Sequence, residues 1–358
     1  MTNKLSLTTK IIKYAVTLRR SSVKKDIKAF KFNNCVCENV RLKTKDNVSI
    51  GAYLVTPNRE IQKCFVFLHG NACNRENTRA QFNFEFLGDK GICFMVLDYR
   101  GFGDSDGDFC VEGVGYDVDA CVDYMFSKFG KKVNIVGFSL GGGVALEHAR
   151  FNYFNKSNEI ESFDVYHGQK LKSENFDDVS NSVYTNTEKT NQNNVINDIN
   201  EANNISVVSD LINEESNTNM CSGMKIDLQS EDTLTTQKNI FKDKRVGKYV
   251  IISSFSSLAH RVKENTIFKI IEKIFPNCYS NLEKEFNFNS IENIKYIDKK
   301  DVLLFHGTHD TIISHRHSML LQKVSGCVMY LESKKHLSCH MGILHSRDMW
   351  KKMLVFFD

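Results

Sequence analysis

Short, unbroken apolar runs recur along this chain, closed in turn by His69, Asp98 and Ser139. Cys64 to Leu68, in "KCFVFLHGNACN", is the first; Ile92 to Asp98 and Val133 to Phe138 follow. Runs of this length without alternation predict strands buried on both faces. A helix-like stretch, Gly115 to Phe129, separates the second from the third. Ahead of them, Cys35 to Val55 is strand-like, with Lys45-Asp46-Asn47 as the turn of a hairpin. Strand periodicity returns at "KYVIISSFSSL", at "DVLLFHGTHD" and at Cys327 to Leu331, and "SRDMWKKMLVFF" predicts a closing amphipathic helix. Buried strands alternating with helices make this an α/β chain, with a mostly parallel doubly wound sheet and helices on both faces.

The pattern dissolves from roughly Phe151 to Gly247. "NTEKTNQNNVINDINEANN" and its neighbours are polar and Asn-rich, and such a segment cannot bury enough apolar surface to offset its ordering entropy. Three parts result: an N-terminal segment over 1–33, an α/β domain over 34–150 and 248–358, and a disordered insertion over 151–247. The helix after Ser139 runs from the carboxyl edge of the sheet back to the opposite edge. The insertion therefore leaves away from the carboxyl edge and cannot roof it. A lid is better sought between Ser254 and Asp301, where Ile267, Phe268, Ile271, Ile274 and Phe275 share one apolar helical face.

Charge and composition narrow the classes further. A net charge of +4 makes no case for nucleic acid. Eleven cysteines, an odd number with no C-x-x-C pair, indicate neither a disulfide framework nor zinc spacing. With no signal-peptide core and no run of about 20 apolar residues, an intracellular, cytoplasmic protein is expected. One qualification sits in residues 4–31, where Lys10, Lys13, Thr17, Arg20 and Lys24 form a polar stripe opposite Ile11, Ile12, Ala15, Val16 and Leu18. A basic amphipathic helix of that kind can lie peripherally on a membrane surface.

The chemistry centres on "NIVGFSLGGGVALEHA". Gly137-Phe138-Ser139-Leu140-Gly141 is a G-x-S-x-G motif directly after a buried strand and before a helix. The tight turn needs small residues two before and two after the serine, and it lifts the Ser139 hydroxyl above the sheet edge as a nucleophile. The Leu140 amide then faces an oxyanion. A second donor is expected from "FLHGNAC": the Asn71 amide first, Ala72 next, with His69 orienting the loop. Asp310, just beyond the run Val302 to Phe305, stands where an acid partner to a histidine base belongs. Asp98, Asp104 and Asp106 precede the serine and are read as a pocket wall, with Arg100 pairing locally. His315 and His317 are read as surface residues.

The base must come from "SKKHLSCHMGILHS". No carboxylate or cysteine spacing there supports a metal site. His345 directly precedes Ser346, a helix N-cap, where the helix dipole opposes an imidazolium. His336 and His340 remain. The assigned chemistry requires no cofactor.

"HGNA", "DYRGFGDS", "GFSLGGGVA", "HGTHD" and the histidine loop, in that order, resemble the α/β-hydrolase superfamily. Within it they are most similar to the branch of alpha/beta-hydrolase domain-containing 12-type lysophospholipases and monoacylglycerol lipases. The resemblance covers about Val40 to Ala149 and Tyr249 to Phe357. It implies an α/β-hydrolase fold and a serine hydrolase acting through an acyl-enzyme on esters of glycerolipids or lysophospholipids. A short loop after the last strand would favour His336; the resemblance of "CHMGILHSRDMWKKMLVFF" to the branch's longer loop favours His340. Members of the branch usually carry an N-terminal transmembrane helix where this sequence shows the basic amphipathic stretch, and the polar insertion is a second departure. An acyl-protein thioesterase or an aminopeptidase-like enzyme would use the same residues. A non-catalytic binding protein is disfavoured by the intact Ser, Asp and His set, and Ser139 argues against dehalogenase and epoxide-hydrolase chemistry, which resembles cases with Asp at the turn.

Overall fold

Each of the apolar runs forms a strand in a computed structural model, which describes residues 30–31, 33–79, 84–168, 243–264, 266–274, 278–286 and 288–358 of the chain. In chain order the strands are β1 (Phe30–Lys31), β2 (Cys35–Lys43), β3 (Ser49–Pro57), β4 (Lys63–Leu68), β5 (Ile92–Leu97), β6 (Val133–Phe138), β7 (Val246–Ile252), β8 (Val302–Gly307) and β9 (Val328–Glu332). The helices are α1 (Arg75–Arg79), α2 (Phe84–Asp89), α3 (Val111–Phe129), α4 (Leu140–Gly168), α5 (Leu258–Lys263), α6 (Thr266–Ile274), α7 (Cys278–Glu285), α8 (Ser290–Asn293), α9 (Arg316–Ser325) and α10 (Arg347–Phe356).

The strands form one sheet in the order β1-β2-β3-β5-β4-β6-β7-β8-β9. Pairing is antiparallel from β1 to β5 and parallel from β5 through β9. The chain moves from β4 to β5 on one side, then returns to β6 on the other. Order reverses at β4, and in open parallel sheets the crevice at such a switch point, beyond the carboxyl ends of the strands, is where ligands bind. Leu68 of β4 lies opposite Gly137 of β6 there, so the residues following each are neighbours.

Alternation along the strands splits the core in two. Phe65, Phe67, Phe94, Phe138 and Phe305 pack with Leu87 of α2 and with Met349, Trp350 and Met353 of α10. Val66, Leu68, Met95, Ile135 and Ile251 pack on the other face against α3 and α4, through Val114, Val118, Val122 and Val144. Each such side chain contributes about 1.5–3 kcal/mol when fully buried. The two-sided burial explains why the strands read as continuous apolar runs. The architecture is the α/β-hydrolase fold.

Buried ion pairs brace the antiparallel side. Arg75 is fully buried, bonds Asp98, and reaches Asp104 Oδ1 at 2.7 Å and Oδ2 at 3.0 Å. Arg100 does not pair within its own loop, contrary to expectation. It bonds Asp117 of α3 at 2.8 Å and Asp46 of the β2–β3 turn at 2.6 Å, because the loop after β5 folds back against both.

Two compact units divide the chain, 1–163 with 238–358, and 164–237. The first holds the sheet. Helix α4 runs beyond Arg150, the last residue before the expected insertion, to Gly168. The remainder of the expected insertion up to residue 242 lies outside the described residues, as do residues 4–29 of the basic N-terminal stretch. Of the apolar face expected on α6, the side chains of Ile267, Phe268, Ile271 and Phe275 also lie outside them; Ile274 is exposed, as is Ile270. Among the described residues, no helix is long and apolar enough to cross a membrane.

Candidate active site

Ser139 occupies the turn between β6 and α4 with a left-handed backbone, φ 55°. That conformation costs a non-glycine residue on the order of 1–3 kcal/mol and persists only where the surroundings hold it. Here the Ser139 N–H donates to the Ile252 carbonyl at 2.9 Å, and Ser254 Oγ donates to the Ser139 carbonyl at 2.8 Å. The flanking glycines are sterically required. A Cβ on Gly137 would stand 2.2 Å from the Gly141 carbonyl oxygen, and one on Gly141 would stand 2.0 Å from that of Leu68.

His340 is the histidine brought to Ser139. Its Nε2 lies 3.1 Å from Ser139 Oγ and its Nδ1 2.7 Å from Asp310 Oδ2. The carboxylate can only accept, so Nδ1 carries the proton and Nε2 offers its lone pair to the Ser139 hydroxyl. Asp310 Oδ1 accepts the Ile312 and Ile313 amides at 2.9 Å each. Burial alone would raise the Asp310 pKa; hydrogen bonds from His306 and His340 outweigh it and hold the carboxyl well below the usual range. Asp310 is therefore an anion wherever an imidazole titrates.

Backbone crossing sets the position of His340. The loop after β9 passes over the tip of β8: a Cβ on Gly307 would meet the Ser338 carbonyl oxygen at 2.0 Å. The His309 amide donates to that oxygen at 3.1 Å, and the Thr308 amide donates to Glu332 at 2.9 Å. This anchoring carries the chain two residues further, to His340. His336 is exposed on the outward part of the loop and His345 is exposed at its end. Ser346 caps α10, accepting from the Met349 amide.

The two expected oxyanion donors lie on the segments that follow β6 and β4. Leu140 is the first residue of α4, where helix amides have no intrahelical acceptor. The loop after β4 runs against Ser139, since a Cβ on Gly70 would contact the Ser139 Cβ at 3.3 Å. The Ala72 amide is engaged, donating to the Asn71 side-chain oxygen at 2.9 Å. His69 is fully buried, with Nδ1–H donating to the Gly70 carbonyl at 2.8 Å, and burial pushes its pKa down to about 4. It is a neutral loop-shaping residue.

Three polar residues behind the site were not anticipated. Ser254 supports the nucleophile turn. His306 of β8 contacts Asp310; the i, i+4 spacing in "HGTHD" was the available signal. His317, expected at the surface, is buried: Nδ1 accepts from Ser256 Oγ at 2.8 Å, and Nε2 lies 3.1 Å from Glu264 Oε2. Its partners come from a distant loop and helix, which local helical periodicity cannot reveal. Among the described residues no cluster of three or more His, Cys, Asp or Glu could hold a metal ion.

Comparison with known proteins agrees with this fold. A family model described as the alpha/beta hydrolase family matches residues 65–180. The chain is 34% identical over 93 residues to human Protein ABHD12B and 36% identical over 86 residues to Lysophosphatidylserine lipase ABHD12 of Gallus gallus. These matches take in 26% and 24% of this chain, and the chain covers only about a quarter of the length of either relative, 26% and 23%. An alpha-beta hydrolase structure from Vibrio vulnificus superposes with a TM-score of 0.55 at 15% identity, covering 98% of this chain and 94% of that one.

Proposed function

We propose that this chain, which has the α/β-hydrolase fold and matches the alpha/beta hydrolase family model over residues 65–180, is a serine hydrolase that cleaves carboxylic esters of lipids through an acyl-enzyme. The observation that carries this reading is the relay from Ser139 through His340 to an anionic Asp310, at 3.1 and 2.7 Å. His340 Nε2 takes the hydroxyl proton as Ser139 Oγ attacks the acyl carbon, and Asp310 stabilises the resulting imidazolium. The Leu140 and Asn71 amides hold the oxyanion. On collapse the imidazolium returns its proton to the departing alcohol, leaving Ser139 acylated. Water, deprotonated by the same nitrogen, then releases the acid and restores the serine.

A lipid ester of the monoacylglycerol or lysophospholipid type is the substrate class favoured. The lipase name of the Gallus gallus relative supports it. So does the apolar character of the rim, where Ile312 and Met341 stand exposed immediately beyond Asp310 and His340. Turnover of a monoacylglycerol, a lysophospholipid, an S-acylated peptide and an aminoacyl amide tests the assignment. The two lipid esters should be hydrolysed with the highest kcat/KM; preference for the thioester or the amide would contradict it.

A further inference from the structure

His306 is a buried histidine with both ring nitrogens engaged. It lies on β8, four residues before Asp310, and is fully shielded from solvent. Its Nδ1 is 2.7 Å from Ser318 Oγ on α9, and its Nε2 is 2.9 Å from the Ile313 carbonyl oxygen. A carbonyl can only accept, so the ring proton sits on Nε2, and Nδ1 accepts the Ser318 hydroxyl proton. The same nitrogen lies 3.3 Å from Asp310 Oδ2, so its one proton faces two acceptors, the Ile313 carbonyl being the nearer. Asp310 Oδ2 is the oxygen bonded to His340 Nδ1 at 2.7 Å. Among the described residues, His315, which precedes α9, also interacts electrostatically with His306.

We propose that His306 is a positioning residue for the Asp310–His340 pair, holding the carboxylate oxygen that faces His340 through a second N–H donor. The inference rests on the reading of Ser139, His340 and Asp310 as the hydrolytic set. Two consequences follow from sharing one oxygen between two donors. The donor from His306 keeps Oδ2 aimed at the base. It also draws charge from Oδ2, so Asp310 stabilises the imidazolium less than an unshared carboxylate would. The Ile313 carbonyl, which can only accept, fixes the tautomer that makes this possible, and the Ser318 hydroxyl donates to the other ring nitrogen.

The test is the pH dependence of fluorophosphonate labelling at Ser139, measured for wild type, His306→Leu and His306→Gln, with near-ultraviolet circular dichroism as a check on folding. In His306→Leu the plateau rate should fall about three- to tenfold. Its acid-side midpoint should move up by about half a pH unit, because a less shared carboxylate favours the imidazolium. Glutamine can present an N–H near the place of Nε2 and should bring the midpoint back. A folded His306→Leu variant with wild-type plateau and midpoint would overturn the proposal. Wild type that is not labelled at all would instead sink the serine-hydrolase reading beneath it. The wild-type protein supplies an independent arm: nitrogen-15 NMR of histidine-labelled protein should find the His306 proton on Nε2. A proton on Nδ1 would present a lone pair to Asp310 and contradict the proposal even if the leucine variant does not fold.

Discussion

Replacing His340 with alanine should lower kcat by roughly 10⁴- to 10⁶-fold, the range expected when the base of a coupled nucleophile–base pair is removed. Without Nε2 at 3.1 Å, nothing takes the Ser139 proton, and a neutral hydroxyl is a weak nucleophile. His336 stands exposed on the same loop. Its alanine variant should keep turnover within about twofold, since surface substitutions away from a site perturb little. Steady-state kinetics on the best lipid ester measures both variants. Loss of activity in His336→Ala with retention in His340→Ala would require the loop to rearrange in solution and would reverse the assignment.

Asp310→Asn should cost about ten-thousandfold in kcat near neutral pH with little change in KM, the magnitude expected when the acid partner of a histidine base becomes an amide. An amide can turn its N–H₂ toward His340 Nδ1, shifting the ring proton to Nε2 and removing the lone pair that Ser139 needs. The Ile312 and Ile313 amides, each 2.9 Å from Oδ1, favour that orientation because they require an acceptor. The pH profile gives a second check. Asp310 is held well below the ordinary carboxylate range despite its burial, mainly by hydrogen bonds from His306 and His340. It therefore stays charged above its ordinary pKa of about 3.9, and the wild-type rate should show no limb from its protonation between pH 4 and 9. A limb between pH 4 and 9 whose midpoint follows the carbon-13 titration of the Asp310 carboxyl, and not that of the His340 ring, would contradict this account.

The parts of this architecture that were legible in the sequence are those fixed by local sterics and burial. A strand buried on both faces must be apolar throughout, so β4, β6 and β8 stand out as runs. Gly137 and Gly141 are visible because backbone atoms fill the space a Cβ would need. Asp310 could be singled out by its place after β8. Choosing between His336 and His340 required more, since both lie in one polar loop of uniform character. The choice depends on Ser338 crossing Gly307 and on Thr308 bonding Glu332, contacts between segments 24 to 31 residues apart. His306 and His317 were hidden for the same reason. Their partners, Ser318 and Ile313 for one and Ser256 and Glu264 for the other, are brought together only by packing of separate elements. The partners of Arg100 at Asp46 and Asp117 repeat the lesson. Helix α4 continues beyond Arg150 because polar composition removes a reason to bury a segment without forbidding helical backbone.

The central claim is that Ser139 is a nucleophile activated by its histidine neighbour. Labelling with a fluorophosphonate, followed by mass-spectrometric mapping of the modified residue, tests it whatever ester the protein cleaves. Wild type should be modified at Ser139, while Ser139→Ala should be unreactive and His340→Ala slowed by at least two orders of magnitude. Absence of labelling in folded wild type, or labelling that persists in Ser139→Ala, would contradict the account.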